Sequence, residues 1–186
     1  MPSKNLEHAL VRQRDGRDLD RRPEATRRSP APLVEWKLWP NGSMTERAEA
    51  AVTPSVLIVE DELIVGMALS VALQLAGNRI VGPTGSARRA LALAAEEQPD
   101  VALVDINLNG KPEGISVAQT LTEKHGTTIV FLTARPDLAR AARHHALGVV
   151  VKPYDIALIP SVVAAALRHR NGEALGGRPP FFEVFR

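Results

Sequence analysis

The chain has 186 residues, 45% hydrophobic and 24% charged, a composition that suits a globular domain with a core and excludes a collagenous or low-complexity protein. It has no cysteine, which excludes a disulfide framework and thiolate metal sites and fits a reducing compartment. The net charge of +2 is uneven: residues 1–43 carry nine Lys/Arg against six Asp/Glu, and the remainder fourteen against fifteen, so the basic balance gives no support to a nucleic-acid-binding core.

No apolar run reaches the roughly 18 residues of a membrane span, and the Arg-rich N-terminus lacks the apolar centre of a signal peptide. The expectation is a cytoplasmic protein with neither membrane nor nucleic-acid partners. Residues 1–53 read as a disordered N-terminal extension, because Ser3 to Pro32 is dense in Arg, Asp, Glu and Pro and has little to bury. Trp36 and Trp39 are read with this extension, and Met44 is an alternative natural start.

Ordered structure is expected over 54–170. Val56–Val59 is a β-branched run, a strand buried on both faces, and it ends in Glu60-Asp61-Glu62. A helix over 62–76 follows, with Ile64, Ala68, Val71 and Leu75 as its apolar face and Gly77-Asn78 as its stop. Residues 79–82 form a second strand, Pro83 to Gly85 a turn, and Ser86 caps a helix to about Glu97 that turns Ala87, Ala90, Leu91, Ala94 and Ala95 inward. Val101–Val104 is a third strand ending in Asp105. A loop containing Gly110 and Pro112 leads to a helix over 113–125, stopped by Gly126. Thr128–Leu132 is a fourth strand, ending in Thr133-Ala134. A helix over 136–145 follows, then a fifth strand from Gly148 ending in Lys152-Pro153, then a last helix whose regular part starts near Ile159, with Pro160 in its first turn. Residues 171–186 read as a tail holding three of the four Phe residues, which either packs back on the domain, frays, or docks on a partner.

Five strands alternating with five helices make an α/β fold, a doubly wound parallel sheet. In such a sheet all strands end at one edge, so Glu60, Asp61, Asp105, Thr133 and Lys152 are expected around one crevice. Each alone has a plain reading: a solvated acid pair, a capping Asp, a turn Thr, a surface Lys. Together they have a chemical logic. Clustered carboxylates are hard to ionise together without a cation, and hard oxygen ligands suit magnesium. A lysine and a hydroxyl opposite them suit the oxygens of a phosphoryl group, and a carboxylate is itself a nucleophile that forms an aspartyl phosphate.

These four motifs, Val56 to Glu62, Val104-Asp105-Ile106-Asn107, Phe131-Leu132-Thr133-Ala134 and Val151-Lys152-Pro153-Tyr154, resemble the receiver domain of two-component response regulators over roughly 55–170. The resemblance implies a flavodoxin-like five-stranded sheet of order 2-1-3-4-5, an order that general accounts of this fold illustrate with a receiver. It implies that Asp105 is the phosphoacceptor for a histidine kinase or histidine phosphotransfer protein. Glu60 and Asp61 would hold Mg2+ with Asp105, and Asn107 would add its backbone carbonyl. Lys152 would pair with Asp105, Thr133 would reach the phosphoryl group, and the Lys152-Pro153 bond would be cis. Ala134, Arg135, Pro153 and Tyr154 border the switch. Val149 stands where receivers often carry a switching aromatic, and Tyr154 is no obvious substitute. Arg135 is expected near the path of attacking water.

The function this implies is a stand-alone signalling switch or phosphorelay intermediate without a DNA-binding effector, and not an enzyme in its own right. It would meet a downstream target through its fourth helix, fifth strand and fifth helix, and a homodimer is a further partner the sequence allows. Alternatives are an aspartate-nucleophile phosphatase, disfavoured because an Asp-x-Asp pair should then follow the first strand, a non-phosphorylated binding scaffold, and a flavin module, disfavoured by three acids where a phosphate loop should lie.

Overall fold

The structure, a computed structural model, describes residues 35–38, 44–47, 53–174 and 177–185. Most of the segment read as a disordered extension, Trp39 included, lies outside the described residues. Within it the backbone of Glu35–Leu38 pairs antiparallel with Met44–Arg47, a short ribbon that belongs to a separate unit, 1–50.

In the second unit the strands are β1 (Ser55–Val59), β2 (Arg79–Thr84), β3 (Val101–Val104), β4 (Thr128–Thr133), β5 (Gly148–Val151) and β6 (Phe182–Val184). The helices are α1 (Leu63–Leu75), α2 (Ala87–Glu97), α3 (Glu113–His125), α4 (Pro136–Ala141) and α5 (Ile159–Arg170). The sheet runs β2-β1-β3-β4-β5-β6. Its first five strands are parallel in the expected order 2-1-3-4-5. A sixth strand, β6, comes from the segment read as a tail and pairs antiparallel with β5. No helix among the described residues is long and apolar enough to cross a membrane.

Alternation along each strand divides the core into two layers, because successive side chains point to opposite faces. Leu57, Val59, Ala102, Val104, Ile129 and Phe131 pack with Ala90 and Ala94 of α2 and Val117 and Leu121 of α3. Val56, Ile58, Leu103, Val130 and Leu132 pack with Leu69 and Leu73 of α1 and with α5. Both faces of the central strands are therefore covered, as their continuous apolar runs require.

Four local expectations differ from the structure. The face assigned to α1 is the wrong one: Gly66, Leu69 and Leu73 are buried, whereas Ile64 is 84% and Leu75 85% exposed. Leu63–Leu75 is apolar almost all round, so periodicity alone does not choose its inner face. Close packing helps to choose it: a Cβ on Gly66 would lie 3.1 Å from Pro83, a tight approach that favours a small residue on that side. In α2, Ala90 and Ala94 are buried while Ala95 is exposed. The strand read as 79–82 continues through Pro83 to Thr84, which a proline permits because β2 is an edge strand. The helix read as 136–145 is α4 to Ala141 followed by a 3-10 turn at Arg143–His145.

Candidate functional site

Each predicted site residue leaves the sheet at its carboxyl edge. Glu60 and Asp61 follow β1, Asp105 follows β3, Thr133 ends β4 and Lys152 follows β5. The order of the strands makes β1, β3 and β4 adjacent, so residues far apart in sequence share one crevice. Glu60 is 4% and Asp105 7% exposed, while Asp61 is exposed.

The Lys152 ammonium joins the two buried acids. Its Nζ donates to Glu60 Oε2 at 2.8 Å and to Asp105 Oδ2 at 2.7 Å, and it lies 3.7 Å from Glu62 Oε1. Burial pulls its pKa down, but the hydrogen bonds to Asp105 and Glu60 outweigh this and hold it above the ordinary lysine range. Burial raises the Glu60 carboxyl despite Lys152. The other oxygen of Asp105, Oδ1, accepts the backbone N–H of Asn107 at 3.0 Å.

Carboxylate oxygens of Glu60, Asp61 and Asp105 lie within 4.8 Å of one another. These are hard donors with one exposed member, which fits a divalent cation that keeps part of its water. Two further features fix Asp61. Its Oδ2 accepts the backbone N–H of Asn109 at 2.8 Å, and the Asn109 amide donates to the Gly85 carbonyl at 3.0 Å. Asn109 has φ +52°, a left-handed conformation that asparagine tolerates. The sequence reading passed over it, although Asn109-Gly110 is a turn signal that marked the position.

Glycines set the spacing. A Cβ on Gly85 would lie 2.6 Å from the Asp61 Cα, and one on Gly114 would collide with the Asp105 carbonyl. Gly114→Ala is therefore expected to lower stability by about 1–3 kcal/mol, because α3 must then move off the loop after β3; urea unfolding measures it.

Thr133 is fully buried and its Oγ1 accepts the Arg135 N–H at 3.1 Å. The Arg135 guanidinium makes a double contact with Asp137, at 3.2 and 2.9 Å. Ala134, Lys152, Pro153 and Tyr154 line a mostly apolar cleft of about 360 Å3. The Lys152-Pro153 bond is cis. Tyr154 is half-buried, its hydroxyl has no hydrogen-bond partner among the described residues, and burial pushes its pKa up to about 12. Val149, where an aromatic was noted as missing, is fully buried in β5.

Residues 56–164, more than half of the chain, match the family described as the response regulator receiver domain. The transcriptional regulatory protein PdtaR of Mycobacterium tuberculosis is 38% identical over 137 residues, covering 72% of this chain and 66% of PdtaR. The transcriptional activator protein IrlR of Burkholderia pseudomallei is 35% identical over 116 residues, 61% of this chain and 50% of IrlR. The chain thus spans about two thirds and half of these relatives. The signal receiver domain of a modulated diguanylate cyclase from Desulfovibrio desulfuricans superposes with TM-score 0.59 at 27% identity, covering 66% of this chain and 99% of that one. The PhyR response regulator REC domain of Erythrobacter litoralis gives 0.59 at 25%, covering 68% and 98%.

Proposed function

The chain belongs to the response regulator receiver domain family, and from that membership we propose that it is a phosphorylation switch charged on Asp105 by a histidine kinase or histidine phosphotransfer protein. It then acts on a target protein, as a signalling switch or a phosphorelay intermediate. The observation that carries this reading is Lys152 Nζ bonded to both Glu60 and Asp105 at the carboxyl edge of a parallel sheet. An ammonium in that place offsets the negative charge that Glu60, Asp105 and an incoming phosphoryl group bring together.

An Asp105 oxygen attacks phosphorus as the N–P bond of the donor imidazole breaks; the electron pair leaves with the imidazole and a mixed anhydride remains. Glu60, Asp61 and Asp105, with the carbonyl of Asn107, would hold magnesium, which neutralises phosphoryl charge when bound. Lys152 is placed to hold a phosphoryl oxygen. Thr133 can turn its hydroxyl to another, and doing so withdraws it from the Arg135 amide at the head of α4. That exchange links the site to α4, and target binding on the α4, β5 and α5 face follows from it. A cytoplasmic location goes with this reading.

Incubation with acetyl phosphate at graded magnesium, read by intact mass, tests it. The native chain is expected to gain a single adduct at a rate that saturates with magnesium. Asp61→Asn is expected to need at least about tenfold more magnesium for the same rate. Labelling that proceeds equally well with magnesium chelated contradicts the metal assignment.

A further inference from the structure

α1 is apolar on two sides, and the domain core uses one of them. Its thirteen residues carry no charge. Leu69 and Leu73, on the inner side, pack on the sheet. On the outer side Leu63, Ile64, Met67, Val71 and Leu75 are 55–85% exposed. They are five of the seven large apolar residues exposed among the described residues, so surface apolarity is concentrated in this one stripe rather than scattered. A helix that is apolar all round is ordinarily buried all round. The stripe is also its own complement. Leu63, Met67, Val71 and Leu75 follow an i, i+4 row, which forms a ridge on the helix surface. Reversed end to end, this row maps onto itself: Leu63 falls opposite Leu75 and Met67 opposite Val71, apolar against apolar at every level.

We propose that this stripe is a homodimer interface, in which α1 packs against α1 of a second copy, antiparallel across a two-fold axis. An interface of that symmetry joins the same patch on both copies, so the patch must be self-complementary. The orientation follows from charge. A parallel pair would set the exposed acids Asp61 and Glu62 at the head of one α1 against the same acids of the other. An antiparallel pair separates the two heads by about 20 Å, the length of thirteen helical residues, and opposes the helix dipoles. A second copy is favoured over a foreign helix because the stripe offers no charge for a foreign partner to read; Gln74 is the one polar residue on the exposed side of α1. The area suits a weak, reversible pair. Burying an aliphatic side chain withdraws roughly 60–120 Å2. Five such side chains in each copy, at these exposures, supply roughly two thirds of the 1,000 Å2 that a specific interface needs, and the rim at Ser70, Gln74 and Ala76 adds to it. The inference goes beyond the proposed function and requires neither Asp105 nor phosphorylation.

Sedimentation velocity of the full chain over a range of concentrations, with no phosphodonor present, tests it. The native chain is expected to dimerise with a Kd of about 10–100 µM. Met67→Glu and Val71→Lys each set an unpaired charge in the stripe, and each alone is expected to weaken association at least about tenfold. Both positions are exposed, and circular dichroism checks that the variants fold. An equimolar mixture of the two variants is expected to dimerise again, because the antiparallel pairing sets the new carboxylate of one chain against the new ammonium of the other. A native chain that stays monomeric at about 500 µM overturns the proposal. So does a native dimer that Met67→Glu leaves intact, since the contact would then lie elsewhere on the surface. A mixture that stays monomeric under conditions where the native chain dimerises overturns the antiparallel pairing on which the proposal rests.

Discussion

Lys152→Met is expected to destabilise the domain by about 3–5 kcal/mol near neutral pH, the range found when one partner of a buried ion pair is removed. Its ammonium lies between Glu60 and Asp105, both nearly buried, and without it two carboxylates face each other in a site of low polarisability. The loss should depend on pH in a definite direction. Burial already holds the Glu60 carboxyl above its ordinary range. A carboxyl whose folded pKa exceeds its unfolded value binds its proton more readily in the native state, so its ionisation costs stability above that folded value and the cost is relieved as the pH falls through it. Removing Lys152 raises Glu60 further. The gap between native and variant should therefore narrow as the pH is lowered from about 7.5 toward 5. The native lysine does not mask this trend, because its contribution is fully present below the unfolded lysine pKa, well above this pH range, and is lost only as the pH rises from there through the raised folded value. Added magnesium should stabilise the variant more than the native chain, since a cation bound by the folded state relieves the same repulsion. Urea unfolding across pH, with and without magnesium, measures all three effects. A variant whose deficit is constant with pH and indifferent to magnesium contradicts the assignment of a shared, charged site.

Phe182→Ala is expected to cost about 3–5 kcal/mol, the range for emptying a buried aromatic site. The ring lies in the layer between the sheet and α1/α5 and is 1% exposed, although it stands four residues before the chain's last position. The same change should speed hydrogen exchange at the Val149 and Val150 amides, whose strand partner is then held mainly by Glu183 and Phe185. A loss below about 1 kcal/mol would mean that β6 contributes little to the fold.

What was legible in the sequence follows from what kind of signal each part leaves. The five parallel strands are short continuous apolar runs, and their ends carry the chemical residues, so both sheet and crevice could be read from one pattern. Glu60, Asp105, Thr133 and Lys152 converge because strand ends converge in a parallel sheet, and this needs no knowledge of side-chain geometry. The inner face of α1 was not legible. A helix that is apolar on every side carries no phase, and the close packing at Gly66 against Pro83 that favours the observed face is a contact between distant segments. The outward Ile64, Val71 and Leu75 are the residues the periodicity had placed inside.

β6 was hidden for a related reason. Phe182-Glu183-Val184 alternates as a strand does, but three residues are too short to separate from a fraying end, and their partner β5 lies across the whole of α5. Packing back on the domain was one of the readings open for this segment; pairing in the sheet was not foreseen. Asn109 was missed because its part is played by a backbone N–H, which any residue but proline supplies. What is particular to asparagine there is its tolerance of φ +52° and its side-chain bond to Gly85.

The most direct measurement is the intact mass of the native chain and of Asp105→Asn after acetyl phosphate with magnesium. One phosphoryl adduct on the native chain and none on Asp105→Asn is the predicted result. An adduct of equal yield on the asparagine variant would contradict the account, because the phosphoryl group would then sit elsewhere and Lys152, Thr133 and the acid cluster would serve some other end.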